Sequence, residues 1–360
     1  MPRRREFLIG MAALLGAPAL ARAAARQGEP LRLAAAWQTG QAYRVGVLEV
    51  DGAGATRIAA ALDVPTRAHG LLRLPGGGLL AVARRPGDWL LRWGGTEGPG
   101  KGGATAWRWI EPGRAFAGHA LASADGATLY TAEIDLESGA GLIGVRDGAT
   151  LEKRAEWPTH GLDPHMLAWD ELHPGALIVA NGGVPTQPET GRMKRDLERM
   201  DSSLVRLDAR GGALLGQWRL ADPRLSLRHL AWNGARLGIA LQAEHDAAEA
   251  RHKAPVLALF DGQGLRTVDA PRPLAGYGGS IAPFAAGFAI GCPRARGVAV
   301  FGAEGFRALL GLEDACPLAS AHGRLWAGGS GRLMAVSPGA GSPIQGQVPE
   351  IRLDNHWIAL

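Results

Sequence analysis

Histidines recur in this chain with a spacing that can bring several imidazoles together. His69, His119, His165 and His229 each stand before a short alternating apolar pattern, a Gly- or Asp-rich turn and a second apolar pattern. They follow one another at intervals of roughly 45–65 residues. Neutral imidazole nitrogens bind zinc, copper and iron, so a fold that places these residues at one level predicts a transition-metal site.

The segments that begin with these histidines have the pattern of β-hairpins. Two further copies begin at Gly279 and Cys316, and apolar outer-strand patterns separate the hairpins. Repeats of about 40–50 residues with four strands each are typical of β-propeller blades. The 53 glycines and 23 prolines among 360 residues favour many short strands joined by turns. An all-β fold follows, with six blades that start at residues 69, 119, 165, 229, 279 and 316.

The two ends of the chain predict a seventh blade. Three strand patterns between residues 31 and 64 lack an inner strand before them, and the terminal segment from His356 to Leu360 aligns with the inner strands of the other blades. An open ring would expose strand edges. We therefore expect the C-terminal strand to join the N-terminal blade and to close a seven-bladed β-propeller. His356 then becomes a fifth histidine at the same level.

The predicted site lies at one mouth of the central channel. The second strand of each blade returns to the face where we expect the first to begin, so residues at its end join the histidines there. The candidate metal ligands are His69, His119, His165, His229, His356 and, when reduced, Cys316. The candidate ligand-binding residues are Arg84, Arg85, Glu133, His160, Asn181, Arg192 and Lys194.

These other candidates suggest different roles. A carboxylate such as Glu133 can orient a ligand ring, and His160 can act as a ligand or a base. The arginines and Lys194 can hold an anion such as phosphate, citrate or a haem propionate, and the insertion from Val184 to Met200 can cover the mouth as a lid.

A structural role is the alternative for the same residues. Equivalent positions in a repeat often share a residue for packing reasons, and the histidines can line a wet channel where each ring bridges water and a backbone carbonyl. His160 can stabilise a turn, and exposed basic loops are commonly solvated. The sequence contains no GxSxG elbow, HExxH helix or phosphate-loop pattern.

The first residues have the pattern of a targeting segment. Arg4 and Arg5 precede an apolar stretch that runs to about Leu20 and ends in Ala-rich cleavage options. This pattern predicts a twin-arginine signal peptide over residues 1–23, a single propeller domain over residues 24–360 and a periplasmic location. The apolar stretch is too short to span a bilayer, so we expect no stable membrane span after cleavage.

Charge and cysteine content exclude some kinds of partner and site. The net charge is +5, and no Lys/Arg run occurs outside the N-terminus, so no nucleic-acid partner is expected. Cys292 and Cys316 are the only cysteines; they can pair in an oxidising compartment, but their spacing fits neither a zinc cluster nor a CxxC motif.

The segment from Thr159 to Met200 resembles the family called domain of unknown function 1513. The matching residues are Thr159-His160-Gly161, Pro164-His165, Asn181-Gly182-Gly183, Gly191-Arg192 and Lys194, whereas Asp163 replaces a glycine of the family pattern. A looser similarity extends over most of the chain after residue 23. The resemblance implies a Tat-exported periplasmic seven-bladed propeller that accompanies imelysin-like and di-haem peroxidase-like proteins. It implies a link to iron uptake but no particular reaction.

Together these patterns favour a periplasmic, metal-associated propeller. We expect it to bind iron, copper or an iron-bearing ligand at the histidine mouth and to act with periplasmic proteins of iron uptake. Two alternatives stay open: a propeller enzyme, either a metal-dependent hydrolase or an oxidoreductase, and a metal-free scaffold for another protein.

Overall fold

Seven antiparallel sheets of four strands each make up the described part of the chain. The computed structural model describes residues 30–97, 103–185, 196–339 and 343–360. Each innermost strand contacts the innermost strands of both neighbouring sheets, so the sheets form a ring around a central channel. The sequence prediction of a seven-bladed β-propeller is confirmed.

The strands are numbered in chain order and the blades around the ring. Blade 1 contains β1 (Leu31–Thr39), β2 (Ala42–Val50), β3 (Thr56–Val64) and β28 (Arg352–Ala359). Blade 2 contains β4 (Ala68–Arg73), β5 (Leu79–Ala83), β6 (Trp89–Trp93) and β7 (Ala106–Trp109). Blade 3 contains β8 (Arg114–Ala122), β9 (Thr128–Asp135), β10 (Ala140–Asp147) and β11 (Lys153–Leu162). Blade 4 contains β12 (Pro164–Trp169), β13 (Ala176–Asn181), β14 (Ser203–Asp208) and β15 (Leu214–Trp218).

The remaining blades follow the same order. Blade 5 contains β16 (Leu225–Asn233), β17 (Arg236–Ala243), β18 (Leu257–Phe260) and β19 (Leu265–Val268). Blade 6 contains β20 (Ser280–Phe284), β21 (Gly287–Cys292), β22 (Gly297–Gly302) and β23 (Gly305–Gly311). Blade 7 contains β24 (Leu318–Ala321), β25 (Arg324–Gly328), β26 (Arg332–Val336) and β27 (Ile344–Gln347). Short helices occur at Gly95–Glu97, Leu197–Arg199, Ala248–Lys253 and Pro293–Ala295.

Blade 1 closes the ring by joining the two ends of the described chain. Strand β28 is its innermost strand and pairs antiparallel with β1, with Leu33 opposite Ala359 and Trp37 opposite Leu353. The predicted contribution of the C-terminal strand to the N-terminal blade is confirmed. A sheet edge that would otherwise lie open at the channel is thereby paired.

The apolar cores lie between the blades. Seven clusters of buried apolar residues each combine residues from two adjacent blades, so every blade boundary has its own core. At the closing boundary, Trp357 of β28 packs with Trp37 of β1 and Trp326 of β25. Both faces of the inner strands are therefore covered, as their apolar sequences require.

The innermost strands of blades 1–5 are bulged, and each bulge contains one of the five histidines. Pairing of the first two strands of the blade is interrupted around His69, His119, His165 and His229, and pairing of β28 with β1 is interrupted around His356. The inner strands of blades 6 and 7 pair with their neighbours without a register shift. A bulge leaves residues outside the ladder and can redirect a side chain.

Several sequence expectations are corrected or lie outside the described residues. Only two of the histidines lie at the start of an inner strand, His69 in β4 and His165 in β12. His119, His229 and His356 lie in the middle of β8, β16 and β28, because strand pairing is present on both sides of each bulge. Residues 1–23, Arg192, Lys194 and most of the expected lid are outside the described residues. The helices in the described ranges are all too short or too polar to traverse a bilayer.

Candidate metal centre

The imidazoles of the five bulges meet on the channel axis. Candidate ligand atoms of His69, His119, His229 and His356 all lie within 4.8 Å of one another, and we call these four residues the histidine cluster. His165 lies beside the cluster, with its Nε2 atom 2.9 Å from Nε2 of His229. The structure therefore brings together all five histidines that the sequence predicted as metal ligands.

The rings are packed against each other and do not line a wide pore. Ring centroids are 4.5 Å apart for His229 and His356, 4.7 Å for His69 and His356, and 4.8 Å for His69 and His119. His69, His119, His165 and His229 are buried, and His356 is partly buried. Each ring therefore has other imidazoles as its neighbours across the channel.

A glycine lets the rings approach so closely. Gly118 precedes His119 and has φ of 108°, a conformation that side chains other than glycine rarely adopt. A Cβ atom at Gly118 would lie 2.7 Å from Cδ2 of His69. The bulge of blade 3 therefore needs glycine both for its backbone conformation and for the contact with blade 2.

Most of the imidazole nitrogens find no hydrogen-bond partner in the protein. Within the described residues, none is provided for Nδ1 and Nε2 of His69, Nε2 of His119, Nδ1 of His165, Nδ1 of His229 or Nε2 of His356. An unsatisfied buried polar group costs about 1–3 kcal/mol. Six such atoms at one point are a feature that packing alone does not explain.

All five rings are neutral over the ordinary pH range. Burial lowers the pKa of His69, His119, His165 and His229 well below the usual value, and neighbouring imidazoles lower it further. Nearby arginines add to the lowering of the pKa of His69, His165 and His229. Burial, together with Arg84, lowers the pKa of His356 to about 3. Neutral imidazole is the form that binds a metal ion.

The donor set fits a transition metal. Four nitrogens at about 2.0–2.1 Å from one ion are separated by about 3.3 Å in a tetrahedron and by up to about 4.2 Å across a plane. The observed limit of 4.8 Å is slightly wider, so the four donors are near the spacing that one ion requires. Imidazole nitrogen is a ligand for copper, iron, nickel and zinc, and is not the donor that calcium or magnesium prefers.

Two groups of ion pairs flank the histidine cluster. Asp354 accepts a hydrogen bond from Nη1 of Arg84 at 3.1 Å and also pairs with Arg67. Asp163 accepts one from Nη1 of Arg228 at 2.7 Å and forms an ion pair with Arg85. Both aspartates are buried.

These ion pairs connect the segments that carry the histidines. Asp354 and Arg67 lie two residues before His356 and His69, so their pair joins blades 1 and 2. Asp163 lies two residues before His165, and Arg228 directly precedes His229, so their pair joins blades 4 and 5. The sequence reasoning missed Asp163, Arg228 and Asp354 as site residues. A usable signal was present, because Asp163-Pro-His165 and Asp354-Asn-His356 repeat one Asp-x-His pattern.

Arg84 and Arg85 lie where the sequence reasoning expected them, at the mouth beside the histidines. Arg84 is close enough to His69 and His356 to lower their pKa values. Both arginines are largely buried and bound to aspartates. They are therefore built into the site and are not solvated surface groups.

Glu133 does not lie against a histidine ring. It is fully buried in blade 3, with Oε1 2.7 Å from Nη2 of Arg146 and Oε2 2.6 Å from Nζ of Lys153. The expectation that it orients a ligand ring is corrected: two cations and the hydroxyl of Thr131 take up its oxygens.

His160 and Asn181 belong to the frame of the site and not to the cluster. His160 is exposed on the outer strand β11 with φ of 55°, and its carbonyl accepts a hydrogen bond from Gln217. Asn181 is buried and donates to the carbonyl of Thr159 at 3.0 Å, which holds the end of β11 against β13.

Cys316 lies on the side of the channel that carries no histidine. A Cβ atom at Gly279 would be 2.5 Å from its Sγ atom, so the sulfur fills the space that the glycine leaves. Burial raises the pKa of Cys316 to about 12, which keeps it a thiol. Cys292 and Cys316 are both free and buried, and Cys316 is not part of the four-residue cluster.

The fold and the site define a class: a seven-bladed β-propeller whose central channel is closed by a buried polyhistidine cluster. The chain belongs to the family described as protein of unknown function (DUF1513), whose sequence profile matches residues 62–360. No curated protein is detectably similar in sequence.

Solved structures share the fold at low sequence identity. Virginiamycin B lyase from Staphylococcus aureus, as its selenomethionine form, is similar with a TM-score of 0.55 and 10% identity, over 84% of this chain and 92% of that chain. A chain of the nidogen/laminin complex gives a TM-score of 0.49 and 9% identity, over 92% of this chain and 98% of that chain. At 10% identity, the similarity to virginiamycin B lyase shows a shared fold and nothing more.

Proposed function

We propose that this protein is a periplasmic metal-binding propeller that holds iron or copper at the histidine cluster and acts with exported iron-uptake proteins. The observation that supports the metal site is the meeting of four candidate imidazole ligands within 4.8 Å of one another. The unsatisfied nitrogens there are the second support, since a metal ion would use several of them. Export and the iron-uptake partners rest on the twin arginines and on the family resemblance.

The ligands favour a transition metal, because neutral nitrogen donors lack the oxygens that magnesium and calcium require. Within that class iron rests on the family resemblance, and copper is proposed because it binds imidazole strongly. The site is also enclosed, because at least three of the four rings are buried. An ion held there is therefore exchanged slowly and is shielded from solvent.

The deciding experiment compares metal binding by the wild-type chain with binding by two histidine variants. His69→Leu removes two unsatisfied nitrogens from the cluster, whereas His252→Ala removes an exposed histidine from the short helix Ala248–Lys253. Metal-free protein is titrated with Cu(II), Fe(II) and Zn(II), and binding is followed by calorimetry and thermal unfolding. Wild type and His252→Ala should bind one ion and gain thermal stability, and His69→Leu should not.

Stability of the metal-free variants separates a metal site from a structural role. Without metal, His69→Leu should be about 1–3 kcal/mol more stable than wild type, since an apolar side chain of similar size replaces two unsatisfied polar atoms. Equal metal binding by His69→Leu and wild type would show that the cluster is not the site. Loss of stability in metal-free His69→Leu would favour the structural role.

Further assays on the same protein test the two alternative functions, an enzyme and a metal-free scaffold, and the predicted export. Turnover of a lactone or a redox dye that depends on the added metal would favour a propeller enzyme. Absence of binding for all three ions would leave the scaffold for another protein. Fractionation of cells that express the full chain and an Arg4→Lys, Arg5→Lys variant tests the export, which the variant should lose.

A further inference from the structure

Among the residues that the structure describes, the charges beside the histidine cluster balance before any metal binds. Arg84, Arg85 and Arg228 supply three positive charges, and three buried carboxylates supply three negative ones: Asp163, Asp354 and Glu244, which is close enough to Arg228 to counteract the lowering of its pKa by burial. Arg67 also pairs with Asp354, but its side chain is 40% exposed and its charge is screened by solvent. The five imidazoles are neutral and add no charge.

A metal ion would disturb this balance. A divalent ion at the cluster adds two positive charges in a place with little access to water. A buried charge without compensation costs several kcal/mol. Asp163 and Asp354 are already bound to arginines, so they cannot neutralise the ion without leaving those arginines uncompensated.

Arg228 has hydrogen-bond donors that the protein does not use. Its side chain is 0% exposed, and Nη1 donates to Asp163 at 2.7 Å. Its Nε and Nη2 atoms have no acceptor among the residues that the structure describes. These two N–H groups lie along one edge of the guanidinium, and that edge matches two oxygens of a carboxylate or phosphate group.

Arg228 also lies next to a cluster ligand. It directly precedes His229 in the bulge of β16, and it is close enough to His165 and His229 to lower their pKa values. An anion on that edge would therefore be held by a residue that the same bulge fixes as it fixes His229.

We propose that the site binds its metal together with a small oxyanion of the carboxylate or phosphate class, which takes the Nε and Nη2 edge of Arg228. The anion offsets the charge of the metal and satisfies the two unused donors of Arg228. This inference rests on the proposed metal binding. It assigns Arg228 as the residue that recognises the anion, while the histidines recognise the metal.

The test measures anion binding with and without metal. Oxalate, bicarbonate, phosphate and chloride are each titrated by calorimetry into the metal-free full-length chain and into the Cu(II)-loaded chain after removal of free metal. We expect oxalate, bicarbonate or phosphate to bind the loaded protein about tenfold more tightly than the metal-free protein, within the range of coupled sites. Chloride should show a smaller difference, because it cannot use both donors at once.

Two arginine variants make the test specific. Arg228→Lys keeps the charge but loses the two-donor edge, so it should lose most of the tenfold gain while it still loads Cu(II). Arg206→Lys is the matched control, since Arg206 is buried in blade 4 and bound to Asp170, and its anion affinity should equal that of wild type.

The outcomes separate this inference from the proposed function. A chain that loads Cu(II) but binds the oxyanions equally well with and without it overturns the inference and leaves the metal site intact. Retention of the full gain in Arg228→Lys also overturns it. A chain that fails to load any metal overturns both proposals. Should Arg228→Lys fail to fold, the comparison of metal-free and loaded wild type still decides.

Discussion

Blades 1–5 and blades 6–7 share four strands and the same kind of apolar boundary, but their innermost strands differ. In blades 1–5 the ladder between the inner strand and its neighbour is interrupted, and a histidine occupies each interruption. In blades 6 and 7 the ladder is regular, and Gly279 and Cys316 occupy the corresponding places before the strands. The fold thus does not need the bulges, because two blades pack without them.

The difference indicates what the bulges are for. Each interruption gives up regular strand pairing and buries imidazole nitrogens, both of which are unfavourable for folding. The rings of His229 and His356 lie on either side of the two regular blades and still approach to 4.5 Å. The small residues of blades 6 and 7 therefore let the histidines of the other five blades meet. The loss of folding stability from the bulges and the buried nitrogens occurs only in the blades that form the site.

The largest expected effect comes from removing a bulged inner strand. Deletion of residues 355–360 takes away His356, Trp357 and most of the pairing between β28 and β1. We expect loss of the cooperative unfolding transition, because blade 1 loses its inner strand and the core at its boundary with blade 7 is opened. A chain without residues 1–23 is the control and should unfold as wild type does. An unchanged urea midpoint in the truncated chain would contradict closure by β28.

The next effect is the dependence of stability on pH, which should arise from the five bulged blades alone. Unfolded histidines bind protons below about pH 6.5, whereas burial keeps the folded ones neutral, so acid favours the unfolded state. Each buried histidine should lower the free energy of unfolding by about 1.4 kcal/mol per pH unit below that value, until its folded pKa is reached.

Urea unfolding of the metal-free protein at about pH 7 and about pH 5 measures this slope. His165→Leu should reduce the slope, while Cys316→Ala in a regular blade should leave it unchanged, since that thiol has a pKa of about 12. A stability that does not change between the two pH values would mean that the rings are protonated in the folded chain.

A third experiment asks whether a regular blade can accept a histidine. Gly279→His places a Cβ atom 2.5 Å from Sγ of Cys316, directly before the regular strand β20. We expect a loss of about 1–3 kcal/mol in the free energy of unfolding, the usual cost of overpacking. Gly52→His is the control, because no atom lies within 4 Å of its Cβ position. If Gly279→His were as stable as wild type, a regular blade could accept a histidine as readily as a bulged one.

The smallest effect is expected from the sulfur of blade 7. Cys316→Ser should leave the affinity for Cu(II) and the thermal stabilisation by Cu(II) unchanged, because the buried thiol stays protonated and lies outside the four-histidine cluster. Thiolate ligands contribute strongly to Cu(I) and zinc sites, so a clear loss of affinity would show that Cys316 is a ligand. That result would extend the site into the regular blades.

The sequence predicted the architecture well, because the signals for it are local and repeated. Alternating apolar patterns and turn residues mark every hairpin, and the segment from His356 to Leu360 resembles the other inner strands closely enough to predict closure. The meeting of the five histidines followed from the same repeat. Each of these inferences needed only the order of residues along one blade and the symmetry of the ring.

The details of the site depend on contacts between blades, which the repeat does not encode. The bulges could not be predicted, since His119 and His229 continue an apparently regular strand. The partner of Glu133 could not be predicted either, because Arg146 and Lys153 come from two other strands. Arg228 was missed because a single arginine beside an apolar segment usually points to solvent.

Closure by β28 also determines when the cluster can form during synthesis. Three members of the cluster, His69, His119 and His229, lie in blades 2, 3 and 5, whereas the fourth, His356, lies in β28, which follows the strands of every other blade in the chain. A nascent chain that has completed blades 2–7 still holds an open ring with three cluster histidines. If the cluster binds a metal, all four imidazoles could hold it only after synthesis has passed β28, so a bound ion would mark a chain whose ring of blades is complete.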